Sequence, residues 1–164
     1  MKRLPLHPFL FSAYFVLALL GLNIDQVKPV LALRPLLVVL LGATLLWLVL
    51  RLLLKDGQRA ALAATLLLVL FFTYGHVYNF LEQNLPLIGR HRVLLPLWIV
   101  LAAGGMWLVI RQRKNLPNLT QALNLVSIIA LLFPLLQVGA FALSLATGKH
   151  TLSPSEAAIS RLRL

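Results

Sequence analysis

Polar and aromatic side chains concentrate in one stretch of a chain that is otherwise rich in leucine. Thr73, His76 and Asn79 lie three residues apart and share one side of a helix, while Tyr74 and Tyr78 share another side. Because polar side chains at membrane depth face a helix bundle or water, the pattern predicts a contact site for a lipid headgroup or a glycan. The competing interpretation is an aromatic belt at the membrane interface, with hydrogen bonds between helices.

A cationic tripeptide, Arg90-His91-Arg92, follows this stretch. Its guanidinium groups suit a lipid phosphate, which they can hold through charge-assisted hydrogen bonds. The alternative is that the tripeptide caps the next helix and rests on headgroups. A short loop between two helices makes them antiparallel neighbours, so the two stretches are expected to meet at one end of a bundle. We therefore expect lipid or headgroup contacts from six residues: His76, Tyr78, Asn79, Arg90, His91 and Arg92.

Residue patterns for other chemistry are weak. The chain has no cysteine, and its four histidines are scattered without the spacing of metal ligands. It contains no glycine-rich phosphate loop and no nucleophile elbow. The four acidic residues all fall in predicted loops, whereas a proton-coupled transporter needs carboxylates within the membrane. We predict no metal, no cofactor and no catalytic residue in this chain, and a transporter or channel is the weakest alternative.

Three uncharged polar residues interrupt the last apolar run: Asn124, Ser127 and Gln137. Asn124 and Ser127 lie three residues apart, so both can form hydrogen bonds with a neighbouring helix. We interpret them as structural rather than as a binding site. The pair Gly104-Gly105 has the same interpretation, because small residues let helices approach closely.

The composition of the chain indicates which secondary-structure elements position these residues. Apolar residues make up 60% of the 164 residues and charged residues 12%, against about 45–50% and about 25% in soluble domains. A soluble domain of this size has too much surface to bury so many apolar side chains, which excludes a soluble enzyme, a disordered tail and a coiled coil. The net charge of +11 comes from basic residues placed between apolar runs. Such flanks set topology and contact anionic lipid, so nucleic acid is not an expected partner.

Five apolar runs lie between these charges, and about 20 residues cross a bilayer. The first run, over residues 8–22, is shorter than this, and the last, over residues 119–146, is longer. We predict an all-α polytopic membrane protein, a bundle of five transmembrane helices within residues 1–148, followed by a polar extracytoplasmic tail or linker over residues 149–164. Pro134 predicts a kink in the last helix, and Ser153 to Glu156 has the pattern of a capping box. A cleavable signal peptide is the competing interpretation of the first run. The predicted helices cover residues 8–22, 35–54, 60–81, 93–110 and 119–146.

An odd number of spans places the two ends of this membrane domain on opposite sides. The flanks on the side of the N-terminus hold eight basic residues, and the short loops on the other side hold four. The positive-inside rule then predicts a cytoplasmic N-terminus and an extracytoplasmic C-terminus in the bacterial cytoplasmic (inner) membrane. The eight are Lys2, Arg3, Arg51, Lys55, Arg59, Arg111, Arg113 and Lys114, and the four are Lys28, Arg34, Arg90 and Arg92.

Four segments carry a resemblance to one group of proteins: Leu6 to Phe11, Arg34-Pro35, Phe72 to Asn79, and Arg90 to Trp98. Together they resemble the N-terminal transmembrane region of bacterial sulfatase-like membrane proteins, which are similar in layout to lipoteichoic-acid synthase and other phosphoglycerol transferases. The resemblance covers nearly the whole chain, and its most specific part is Tyr74 to Asn79. It implies five membrane helices followed by an extracytoplasmic alkaline-phosphatase-like domain, which carries the metal and the nucleophile. None of that family's catalytic residues has a position in these 164 residues.

The resemblance and the residue patterns predict the non-catalytic membrane-anchor domain of a sulfatase-like or phosphoglycerol-transferase-like cell-envelope enzyme. The expected partners are membrane lipids, including an anionic or lipid-linked substrate, and an extracytoplasmic catalytic domain. The chain alone is expected to have no hydrolase or transferase activity. The alternative is a small stand-alone integral membrane protein that acts as a partner or scaffold in envelope assembly.

Overall fold

The computed structural model describes residues 4–27, 29–85, 89–112 and 116–147, and within these ranges it contains helices and no strand. This confirms the all-α prediction of five helices. Four of them are long and apolar enough to span a membrane, and α1 is a shorter apolar helix of 16 residues. The predicted tail over residues 149–164 lies outside the described residues. The helices are α1 (His7–Leu22), α2 (Leu33–Leu54), α3 (Gly57–Asn84), α4 (His91–Arg111) and α5 (Leu116–Ala146), with a 3₁₀ turn (Pro29–Ala32) before α2.

The turn between α2 and α3 shows why α3 begins three residues earlier than predicted. Lys55 ends α2 in the left-handed conformation, with φ at 54°, which breaks the helical path. The carboxylate of Asp56 then accepts hydrogen bonds from the backbone N–H groups of Gln58 (2.8 Å) and Arg59 (3.2 Å). This N-cap satisfies two donors of the first turn, so α3 starts directly after it, at Gly57.

Three helices of the bundle run parallel and two run against them. His7 in α1 contacts Thr65 in α3, and eight residues later in α1 Phe15 stacks on Phe72, with ring centroids 4.7 Å apart. The indole of Trp98 in α4 instead donates to a carbonyl earlier in α3, that of Leu70, at 2.8 Å. The helices therefore alternate in direction, so that α1, α3 and α5 begin at one end of the bundle, which we call the N-terminal end. The opposite end is called the far end.

The outer surface of the bundle is apolar, and small residues fill its interior. Leu41, Leu52 and Leu136 are 69%, 78% and 70% exposed, as side chains that face lipid tails must be. Residues 60–65, just after the first turn of α3, are instead buried, because the alanines from Ala60 to Ala64 let α2 and α4 approach closely. This arrangement is that of a membrane-spanning bundle, in which close packing rather than a large hydrophobic core holds the helices together.

Candidate functional site

An aromatic stack joins the far ends of α3 and α4. The ring of Tyr78 lies on the imidazole of His91 at 4.0 Å between centroids and 2° between planes. The hydroxyl of Tyr74 hydrogen-bonds with Nδ1 of His91 at 2.8 Å, and Tyr74 also meets Trp98 edge-on at 5.7 Å. The hydroxyl of Tyr78 donates to a carboxylate oxygen of Glu82 at 3.1 Å. The predicted antiparallel contact between the two stretches is therefore confirmed.

Two exposed arginines, Arg90 and Arg92, flank the stacked imidazole. Among the described residues neither guanidinium forms an ion pair, and the first turn of α4 carries no acidic side chain. The N-terminus of a helix carries a partial positive charge, so these cations add to a field that already favours an anion. They line, with Tyr78, Glu82, Gly89 and His91, an open cavity of about 660 Å³. Two guanidinium groups and one carboxylate leave this cavity with net positive charge, which suits a phosphodiester.

Gly89 lets the chain turn closely from α3 into α4. A β-carbon at this position would lie 2.5 Å from the α-carbon of Glu82, which is too close for any side chain to fit without moving backbone. The amide of Gly89 donates to the carbonyl of Leu85 at 2.9 Å. Because Gly89 has no side chain, the backbone can pass close to the end of α3, and this places Arg90 and His91 beside that helix.

The structure separates His76 and Asn79 from this cavity. His76 lines an apolar groove of about 390 Å³ on the opposite side of α3, where Phe15, Asn23 and Phe72 also lie. Asn79 is exposed and, three residues after His76, is on that same side of the helix. Of the six predicted contacts, Tyr78, Arg90, His91 and Arg92 surround one cavity, and the other two do not reach it.

A buried polar cluster that the sequence did not predict as a unit lies where α1 begins. Nδ1 of His7 hydrogen-bonds with the hydroxyl of Thr65 in α3 at 2.6 Å. The side-chain oxygen of Asn124 in α5 accepts from the amides of Leu6 (3.0 Å) and His7 (2.8 Å), and its amide donates to the carbonyl of Leu4 (2.9 Å). The prediction that Asn124 bonds a neighbouring helix is thus confirmed.

Asn124 acts as a helix cap supplied by another helix. The residue before α1 is Leu6, whose side chain cannot accept a hydrogen bond, so α1 has no cap of its own. Thr65 and Asn124 each lie eight residues, or about 12 Å, inside α3 and α5. The start of α1 is therefore set back from the end of the bundle, where the side chain of another helix takes the place of a cap. Ser127, predicted as a second interhelical donor, instead donates to the carbonyl of Asn124 in its own helix.

Sequence reasoning missed His7 because its partners are 58 and 117 residues away along the chain. A histidine directly before a proline at the start of an apolar run was the only local signal, and it does not identify a partner.

No protein-family model matches the chain, and no curated protein or solved structure matches it either.

Proposed function

We propose that this chain is the non-catalytic membrane-anchor domain of a sulfatase-like or phosphoglycerol-transferase-like cell-envelope enzyme. The observation that carries the proposal is a contact between two segments on which the resemblance rests. Tyr74 and Tyr78 of one segment hold His91 of the other through a hydrogen bond and a flat stack. Residues scattered along an aromatic belt face lipid separately, whereas these three form one structure between two helices.

The direction of the helices supports the role of an anchor. Five alternating helices carry the chain from the N-terminal end of the bundle to the far end. The flanks of the N-terminal end hold eight basic residues, and those of the far end hold four. Under the positive-inside rule, the N-terminal end faces the cytoplasm, and the far end faces outward in a bacterial cytoplasmic membrane. A domain that follows α5 would then stand on the outer surface.

The cavity at the far end gives the anchor a second task, which is to hold an anionic lipid beside the outer domain. Arg90 and Arg92 provide bidentate donors for a phosphate, and the stacked His91 fixes the first turn of α4 between them. The ligand class is a phosphodiester headgroup, either of a bulk lipid such as phosphatidylglycerol or of a lipid-linked substrate.

Lipid binding by a double variant tests this proposal. Arg90→Gln with Arg92→Gln removes both cations and leaves the aromatic stack in place. Each cation near an anionic surface contributes about 1 kcal/mol, so we expect the affinity for phosphatidylglycerol to fall about 20- to 30-fold. Titration of the detergent-solubilised chain, followed by native mass spectrometry, measures the change. Thermal stability is expected to stay close to that of the parent.

Arg34→Gln is the matched control, because Arg34 is an exposed arginine near the start of α2, at the same end of the bundle. We expect Arg34→Gln to lower the affinity for phosphatidylglycerol less than Arg90→Gln alone or Arg92→Gln alone does. Equal losses in the control and in either single variant of Arg90 or Arg92 would show general charge attraction and overturn the headgroup site.

The reading frame that contains this chain tests the anchor itself. A sulfatase-like domain encoded in frame after residue 164 is the expected result. A stop codon there, followed by an unrelated gene, would instead favour the alternative of a small scaffold protein in envelope assembly.

A further inference from the structure

A second charged cavity lies at the N-terminal end of the bundle, about 36 Å along α3 from the far-end cavity, measured between their lining residues Gln58 and Glu82. It measures about 530 Å³, within the about 300–1,000 Å³ of small-ligand pockets. One wall is the strap Leu4–Leu6, which Asn124 holds in place. The other walls are the last two turns of α2, the turn that follows them and the first turn of α3, which contribute Trp47, Arg51, Lys55, Asp56, Gly57 and Gln58.

The charges that line this cavity favour an anion. Arg51 and Lys55 are both exposed, and the guanidinium of Arg51 lies over the ring of Trp47 at 5.2 Å. Among the described residues that line the cavity, Asp56 alone is acidic. Its carboxylate accepts hydrogen bonds from two backbone N–H groups and lies 3.8 Å from Nε of Arg59. Since Asp56 is already engaged as a helix cap, the two cations remain available to a ligand.

Gln58 adds a donor that has no acceptor. Its side-chain nitrogen is buried, and no hydrogen-bond partner for it exists among the described residues. A buried amide donor without a partner costs free energy, and such groups are rare in folded proteins. Gln58 lines the cavity, so a rotation of its side chain would bring this donor to an acceptor oxygen placed beside the two cations, and the donor and both charges would be satisfied together.

We propose that this cavity binds a phosphate group, that of an anionic phospholipid in the leaflet at the N-terminal end. The phosphate oxygens accept from Gln58, Arg51 and Lys55, and the apolar side chains of Leu6 and Phe9 line the same cavity, where they can contact acyl chains. A free phosphate offers the same oxygens without acyl chains. These residues lie at the opposite end of the bundle from the cavity of the proposed function, and the two cavities share no described lining residue.

Two variants of the full chain test the proposal. Arg51→Gln with Lys55→Asn removes both cations, and asparagine tolerates the left-handed backbone at position 55. Gln58→Leu removes the unmet donor at similar size, so it is expected to leave stability unchanged or raised. Binding of phosphatidylglycerol is measured by native mass spectrometry in detergent, with all variants built on Arg90→Gln with Arg92→Gln so that the far-end cavity does not contribute. Binding of inorganic phosphate is measured by calorimetry. We expect a loss of lipid affinity of about 20- to 30-fold in the double variant and at least threefold in Gln58→Leu.

Arg111→Gln provides a closely matched control. Arg111 also ends a helix at the N-terminal end of the bundle, and its guanidinium lies over the ring of Trp107 at 4.6 Å, yet it does not line this cavity. Its loss is expected to change affinity less than twofold. An equal loss in Arg111→Gln and in Arg51→Gln alone, or unchanged binding in Gln58→Leu, would overturn the proposal. Inorganic phosphate that binds as tightly as the lipid would overturn the lipid as the source of the phosphate.

Discussion

Asn124 is the residue on which the start of α1 depends. Asn124→Leu removes three hydrogen bonds and leaves two amides and one carbonyl of residues 4–7 without a partner. At roughly 0.6 kcal/mol for a hydrogen bond within a membrane, we expect the free energy of unfolding to fall by about 2 kcal/mol. Denaturant unfolding in mixed micelles measures it. Asn79→Leu is the control, since Asn79 is exposed and its loss is expected to be near neutral.

The His7–Thr65 pair is expected to behave as a coupled unit. Thr65→Val leaves the imidazole buried with neither nitrogen paired, because Nε2 already has no partner among the described residues. A buried polar group that loses its partner costs about 1–3 kcal/mol, whereas replacing both partners by apolar groups is close to neutral. We therefore expect the double variant His7→Phe with Thr65→Val to be more stable than Thr65→Val alone. Additive losses in this double-mutant cycle would contradict the coupling.

At the scale of residues, the kind of contact that a side chain forms was easier to predict from the sequence than the residue that it contacts. Asn124 was predicted to bond a neighbouring helix because an amide within an apolar run needs a partner, and it does so. Tyr78 and His91 were predicted to lie near each other because a short loop joins their helices. His76 was grouped with them from proximity along the chain, and the structure turns it toward α1 instead.

At the scale of elements, two adjacent glycines of α4 give a matched test of how α3 and α4 pack. A β-carbon at Gly105 would lie 2.5 Å from a methyl group of Leu66 in α3, whereas one at Gly104 would have no neighbour within 4 Å. Gly105→Ala is expected to lower the free energy of unfolding by about 1 kcal/mol, as overpacking does. Gly104→Ala is expected to stabilise slightly, since alanine favours the helix. Equal effects of both substitutions would contradict the close approach.

Helix positions were predictable from the sequence, but helix partners were not. Charged residues separate the apolar runs, so every predicted helix overlaps an observed one and all ten helix ends agree within three residues. The helices are apolar on nearly all sides, so no polar face indicates which neighbour each one meets. The central position of α1 against α2, α3 and α5 follows from long-range contacts such as that of Phe15 with Phe72. No local pattern encodes them.

At the scale of the whole molecule, α1 can be short because it starts inside the bundle. Its 16 residues span about 24 Å, less than the about 30 Å hydrocarbon core. The helix begins about 12 Å into α3 and α5, and its end reaches Gln137 of α5, whose side chain packs against Gly21. Residues 4–6 continue from the start of α1 toward the first turn of α3, where they line the cavity of the N-terminal end. We therefore predict that α1 with this strap is the first of five membrane crossings.

Reporter fusions to the full chain test this topology most directly. Green fluorescent protein or alkaline phosphatase fused after Leu164 is expected to give a dark fluorophore and an active phosphatase in a bacterial host. The same reporters inserted after Asp56, in the turn at the N-terminal end, are expected to give the reverse. A bright fluorophore with an inactive phosphatase after Leu164 would contradict both the five passes and their orientation.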